Sequence, residues 1–279
     1  MHDLPDIDLT APEFGDLYDE LPLWSAPFGL LLLDRVPMRA GLTILDVGAG
    51  TGFLTIELAE RCGAGTRVIA VDPWKAAMDR LRRKIAQRWL DNILVLEQDA
   101  SATGLPDGSV DGLVSNLGIN NFSEPDTVLR ECFRIARPGA TLLLTTNLTG
   151  HMAEFYDVYR DVLAELGQQH CLEVLAEHVE HRGSVDSIAE RIEDAGFEVN
   201  EVVTSAFRMR FVDGSSLLRH YFIRLGFVPG WKTIAADGSA GATFDLLEQR
   251  LNAVAGERGE LALTIPMACF VACKPPGAR

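Results

Sequence analysis

The residues best suited to chemistry in this 279-residue chain gather in its first half, each at the end of an apolar run. Ile44-Leu45-Asp46-Val47 leads into Gly48-Ala49-Gly50-Thr51-Gly52. Val71 precedes Asp72-Pro73, Asp99-Ala100 follows Ile93–Leu96, and Ser115-Asn116 closes a fourth run. Glycine has no side chain to clash, so a glycine-rich loop lets backbone approach a ligand closely. A nicotinamide dinucleotide site would read G-x-G-x-x-G, with its third glycine at position 53. Position 53 is Phe, and the glycines stand at 48, 50 and 52. The ligand of this loop therefore need not be a pyrophosphate. A nicotinamide enzyme and a bare structural turn are the competing readings.

Proton transfer asks for other residues. His151 ends Thr146-Asn147-Leu148-Thr149-Gly150-His151, which leaves an apolar run at the edge where the glycine loop also stands. A histidine there can take a proton near neutral pH; the plainer alternative is a solvent-facing loop histidine. His220 and Tyr221 are further candidates, and Asn116, Asn120 and Asn121 can orient a polar group. His170, Cys171, Glu173, Glu177, His178 and His181 form a local cluster in which His178 and His181 would share a helix face. Its spacing fits a solvated charged face better than a zinc ligand set, so no metal is expected.

The elements that must position these residues follow from periodicity. Short β-branched runs at Leu42–Val47, Arg67–Val71, Ile93–Leu96, Val110–Ser115, Ala140–Thr146, Phe197–Ser205 and Leu261–Cys273 read as strands. Amphipathic stretches read as helices at Phe53–Arg61, Lys75–Trp89, Glu124–Ala136, Met152–Leu166, Val185–Ala195, Ser215–Leu225 and Phe244–Ala255, with a turn at Pro229-Gly230-Trp231. The alternation predicts an α/β fold: a doubly wound, mostly parallel, seven-stranded sheet with helices on both faces. Such sheets bind ligands at the carboxyl ends of their strands, where the motif residues fall. The expected organisation is an N-terminal lid segment over 1–40 and one domain over 41–279, with an insertion at 207–259 before the last strand.

Composition narrows the function classes. With 47% hydrophobic and 23% charged residues the chain has material for a large core, which excludes a disordered or collagen-like chain. A net charge of -15 disfavours nucleic acid and anionic membrane surfaces as partners. No uncharged stretch reaches the roughly 18 residues of a membrane span. The N-terminus carries acids and no Lys or Arg before Arg35, the reverse of a secretory signal. Five scattered cysteines without a C-x-x-C pair read as reduced thiols in a cytoplasmic protein, with Cys269 and Cys273 as core thiols on one side of a strand.

The Asp46-x-Gly48-x-Gly50-x-Gly52 sequence at a strand end resembles the principal motif of the class I S-adenosylmethionine (SAM) dependent methyltransferases, whose sheet is Rossmann-like. The resemblance covers residues 40–146, with Arg137-Pro138-Gly139 similar to the element that leads to the fifth strand, and extends more weakly to Ala195-Gly196-Phe197 and the last strand. It implies SAM as cofactor. The Gly48–Gly52 loop, with Asp46 and Ala49, would hold the methionine portion. Asp72 with Pro73 would hold the ribose, because only a carboxylate accepts symmetrically from two hydroxyls. Asp99 with Ala100 would meet the adenine, and Asn116 would face the methyl group and acceptor. The fourth strand ends Asn116-Leu117-Gly118-Ile119, without the Pro-Pro-aromatic sequence of methyltransferases acting on nucleobase or glutamine amino groups. The layout is similar to the small-molecule methyltransferases of ubiquinone and menaquinone biosynthesis. It implies transfer to an O, N or C atom of a small-molecule acceptor, walled by aromatics such as Tyr18, Trp24 and Phe28 and those of 219–224 and 227–231. A protein methyltransferase and a non-catalytic SAM-binding module are the alternatives.

Overall fold

The computed structural model describes residues 11, 13–19, 21–180, 182–235 and 240–277. Parts of the expected N-terminal segment (1–10, 12 and 20), residues 236–239 of the expected insertion, and His181 lie outside them. Seven strands form one sheet: β1 (Thr43–Val47), β2 (Arg67–Val71), β3 (Ile93–Leu96), β4 (Val110–Asn116), β5 (Ala136–Asn147), β6 (Glu198–Phe211) and β7 (Leu261–Cys273), in the order β3-β2-β1-β4-β5-β7-β6. The pairings of β1 to β5 are parallel, and β7 runs antiparallel to β5. The helices are α1 (Phe14–Asp19), α2 (Pro22–Leu33), α3 (Phe53–Cys62), α4 (Lys75–Arg88), α5 (Pro125–Ile135), α6 (Ala153–Glu165), α7 (Gln169–Glu180), α8 (Val185–Asp194), α9 (Gly214–Arg219), α10 (Tyr221–Gly226), α11 (Val228–Ile234) and α12 (Ala240–Arg258). Helices lie on both sides of the mostly parallel sheet, the α/β arrangement the periodicity predicts. None of the described helices is long and apolar enough to cross a membrane.

The chain divides into two compact units. The larger comprises Thr10–Asn147, Ser184–Ser205 and Met267–Arg279. Its central strands are apolar on both faces, as burial beneath helices demands: Ile44, Leu45 and Val47 on β1, Val68–Val71 on β2 and Leu142–Leu144 on β5 are all buried. The smaller comprises Met1–Leu9, Leu148–Gly183 and Ala206–Pro266, so 148–183 groups with most of 207–259. Its centre is aromatic. Trp231 is fully buried and stacked on Phe155 with ring centroids 3.9 Å apart. The Trp231 indole N–H donates to the Tyr156 hydroxyl at 3.1 Å, and the Tyr159 hydroxyl donates to the Trp231 carbonyl at 2.9 Å.

Several elements depart from the sequence reading for local reasons. The helix expected at 215–225 breaks at His220, whose extended backbone (ψ 129°) separates α9 from α10. The turn expected at Pro229-Gly230-Trp231 is the first turn of α11, where a proline costs nothing because that N–H has no intrahelical partner. The charged run 169–180 forms α7, which buries Cys171 and Leu175. Trp89, expected on the apolar stripe of α4, caps that helix in the left-handed region at φ 52° and is 89% exposed. Strand β5 starts at Ala136, and Pro138-Gly139 lies within it beside the register shift opposite Val110 and Gly112.

Candidate functional site

In the larger unit, the carboxyl ends of β1, β2 and β4 and the residues just after β3 carry the motif. After Val47 the chain turns through glycines with φ of 74° at Gly48, 53° at Gly50 and 83° at Gly52. Gly48 and Ala49 donate their N–H groups to the Val71 carbonyl of β2 at 2.9 and 3.1 Å. Side chains at two of these glycines would meet different fates. A Cβ at Gly52 would stand 2.3 Å from a Leu81 methyl, whereas one at Gly50 would meet nothing within 4 Å. Gly52 is thus required by packing, while Gly50 presents bare backbone to open space.

Asp46, on β1, is 1% exposed and accepts a hydrogen bond from the Thr55 hydroxyl of α3 at 2.6 Å. It ties the strand before the turn to the helix after it. Burial pushes its carboxyl up to about 7; the charge of Asp72 adds to that and the Thr55 bonds oppose it. A folded-state pKa above the unfolded 3.8 means that the folded chain holds the proton more tightly. This contribution to stability is complete below the unfolded value and is lost as pH rises through about 7. Asp46→Asn keeps an acceptor for Thr55 and removes the titration. Urea midpoints at about pH 5 and about pH 8 should therefore differ less in the variant than in the wild type. Equal differences would exclude this role.

Asp72 accepts the Gly50 N–H on Oδ2 at 2.9 Å and the Trp74 N–H on Oδ1 at 2.8 Å, with Pro73 between. Each oxygen keeps lone-pair capacity for a further donor. Burial raises the Asp72 pKa, and the two N–H bonds partly offset it. Asp99 caps the single 3-10 turn Ala100–Ala102 by accepting the Ser101 N–H at 2.8 Å; bonds from Ser101 hold its carboxyl below the usual range. Ala100 is buried behind it. Asn116 is more committed than expected: its Oδ1 accepts from the Thr145 hydroxyl at 2.8 Å and its amide donates to the Ser25 carbonyl of α2 at 3.2 Å. The next residue, Leu117, is held left-handed at φ 67°, and such non-glycine strain concentrates at functional edges.

The sequence reading missed three further residues here. Lys84 of α4, largely buried, donates to the Thr51 carbonyl inside the glycine turn at 2.9 Å and to Asp19 of α1 at 2.7 Å. Arg80 adds a bond to Asp19 at 3.0 Å. Burial opposes ionisation of Asp19, but bonds from Lys84, Thr51 and Arg80 hold its pKa low. Tyr18 packs edge-on against Trp74 at 5.3 Å, and burial followed by the Asp72 charge raises its hydroxyl pKa. The legible signal was charge: acids at 16 and 19 in α1 against cations at 80, 83 and 84 in α4. Of the expected aromatic walls, Phe28 is fully buried and packs the core.

The expected proton acceptors lie in the smaller unit. His151 is not a solvent-facing loop residue: it is 2% exposed, and neither ring nitrogen has a hydrogen-bond partner. Burial, with the positive charges of Arg182 and His178, lowers its pKa to about 3. That corrects the expectation of proton uptake near neutral pH. His220 stands at the α9–α10 break, edge-on to Phe211 at 5.5 Å, and partial burial lowers its pKa too. Tyr221 opens α10. The structure thus brings together Asp46, the glycine loop, Asp72, Pro73, Asp99, Ala100 and Asn116, and sets the three expected acid–base residues in the other unit. His178 contacts the Tyr156 hydroxyl at 3.3 Å rather than a metal cluster, and no group of three potential ligands occurs among the described residues.

Comparison with known proteins fits this geometry. Residues 45–144 match the model of a methyltransferase domain. Over 176 residues the chain is 27% identical to the ubiquinone/menaquinone biosynthesis C-methyltransferase UbiE of Salmonella paratyphi B, covering 60% of this chain and 70% of that one. A SAM-dependent methyltransferase from Aquifex aeolicus shares the fold at a TM-score of 0.54 and 24% identity, over 69% of this chain and 92% of that one. A Haemonchus contortus phosphoethanolamine N-methyltransferase 2, solved with SAM, aligns at a TM-score of 0.57 and 18% identity, over 96% of this chain and 59% of that one. Together the matched domain and these likenesses support a class I SAM-dependent methyltransferase.

Proposed function

We propose that the protein transfers the methyl group of SAM to an O, N or C atom of a small-molecule acceptor. The observation that carries the cofactor half is the juxtaposition of bare Gly50 backbone with the Asp72 carboxylate bonded to it. The donor set suits an adenosyl group: Asp72, with Pro73, has capacity for two ribose hydroxyls, Asp99 and Ala100 flank the place for adenine, and the Gly48–Gly52 turn, held from behind by Asp46, takes the methionine end. Asn116 acts from its bonds to Thr145 and Ser25, holding the edge of the site rather than gripping a substrate amino group.

SAM supplies a methyl already electrophilic on a sulfonium. The chain's own task is to hold an acceptor lone pair in line and to exclude water, which supplies roughly 7–11 kcal/mol of the barrier. An acceptor that arrives with its lone pair free needs no base, consistent with the low pKa of His151. Support for a small acceptor comes from the Asn116-Leu117-Gly118-Ile119 sequence, the net charge of -15 and the likeness to enzymes named for quinone methylation. Five cysteines not joined in disulfides support a reduced, cytoplasmic setting. The test is a screen of phenols, quinones, amines and carboxylates for release of S-adenosylhomocysteine. Turnover confined to such compounds is the expected result; turnover confined to proteins or nucleic acids would overturn the reading.

A further inference from the structure

We infer that Arg182, His151 and Tyr156 of the smaller unit line a subsite for the carboxylate of a small organic anion. The inference rests on the small-molecule reading above and names the acceptor's class as a monocarboxylate.

The two loops that carry these residues are fastened to each other. Thr149 donates its N–H to the Gly183 carbonyl at 3.1 Å, and its hydroxyl lies 3.4 Å from the same oxygen. His151 lies two residues after Thr149, and Arg182 lies one residue before Gly183. His151 is buried with two orphaned ring nitrogens, and each such atom costs about 1–3 kcal/mol unless a partner arrives. The connection turns through Gly150 at φ 85°, and Met152, a non-glycine, is held left-handed at φ 54°. Strain of this kind persists where function requires it.

The positive charge of Arg182 acts on both the Tyr156 hydroxyl and the His151 ring, and burial lowers its own pKa. In a chain with 40 acidic residues, none among the described residues pairs with it. A half-buried guanidinium with no ion-pair partner among the described residues can pair with an anion. The Tyr156 hydroxyl, fixed by the Trp231 indole N–H and by contact with His178, supplies a third polar group. Phe227 lies 6.4 Å and Tyr156 5.7 Å from His151 between ring centroids, so the walls are aromatic.

Charge sets the ligand class. The Arg182 guanidinium stays charged across the working pH range, so an anion is the ligand it can pair with. A planar carboxylate also matches the guanidinium fork. The aromatic walls call for an apolar body behind it.

The full-length protein, with its histidine ring signals assigned by NMR using His151→Asn, is titrated with benzoate, with neutral benzamide and with inorganic phosphate. The expected result is a saturable shift of the His151 signals with benzoate alone, together with a rise in the His151 pKa. Arg182→Gln should weaken benzoate at least about tenfold, as loss of a charged hydrogen bond implies. SAM titration of the same samples reports an intact cofactor site. No saturable response, an equal response to benzamide or phosphate, or unchanged affinity in Arg182→Gln each overturns the subsite. Failure of the wild type to bind SAM counts against the methyltransferase reading, whereas SAM binding without a benzoate response removes only this inference.

Discussion

Replacing Asp72 by Ala should lower the affinity for SAM at least about a hundredfold in a calorimetric titration. Two hydroxyl donors to an ionised carboxylate are worth about 1.5–3 kcal/mol each, and about 1.4 kcal/mol is a factor of ten. The substitution also unlatches the turn, because Asp72 anchors the Gly50 and Trp74 N–H groups. Asp72→Asn keeps one acceptor oxygen and should fall between the two. The pH dependence has a definite sign. Burial raises the Asp72 pKa, so the acceptor is protonated, and affinity is lost, as pH falls through a value above the usual carboxylate range. An Ala variant that binds SAM within about twofold of the wild type would end the assignment of Asp72 to the ribose.

The largest stability effect belongs to Trp231. Truncation to Ala empties the stack on Phe155 and removes the donor to the Tyr156 hydroxyl. Burial of this extent predicts a loss of about 3–5 kcal/mol. Trp231→Phe keeps an apolar ring and should cost well under half of that. With two compact units in the chain a single melting temperature is a poor measure. Amide exchange in α6, which carries Phe155, Tyr156 and Tyr159, reads the effect directly. Protection in the Ala variant within about 1 kcal/mol of the wild type would show that the aromatic centre is not what holds this unit.

The cofactor edge was readable because each of its residues ends a strand with a strong burial signature. Asp46 is the penultimate residue of β1, Asp72 directly follows β2, Asn116 ends β4, and Asp99 stands three residues past β3. A polar residue after four or five apolar ones has one plausible place in such a sheet. The smaller unit was legible only in pieces, since its helices are fixed by tertiary contacts that periodicity does not encode. His220 breaks a helix whose pattern continues through it, and Pro229 starts one where composition suggested a turn. The run from His170 to Glu180 looked like a solvated face, and two buried residues, Cys171 and Leu175, suffice to seat it. His151 was misread because a five-residue connection after a strand suggests exposure, whereas the Thr149–Gly183 bond and the Phe227 and Tyr156 rings enclose it.

Lys84 gives the larger unit a property that neither of its bonds would give alone. One ammonium is shared between the carboxylate of α1 and a peptide oxygen of the turn that would meet SAM. A displacement of α1 that drew Asp19 away would leave that ammonium with the Thr51 carbonyl alone, so the order of the first helix bears on the cation that steadies the glycine turn.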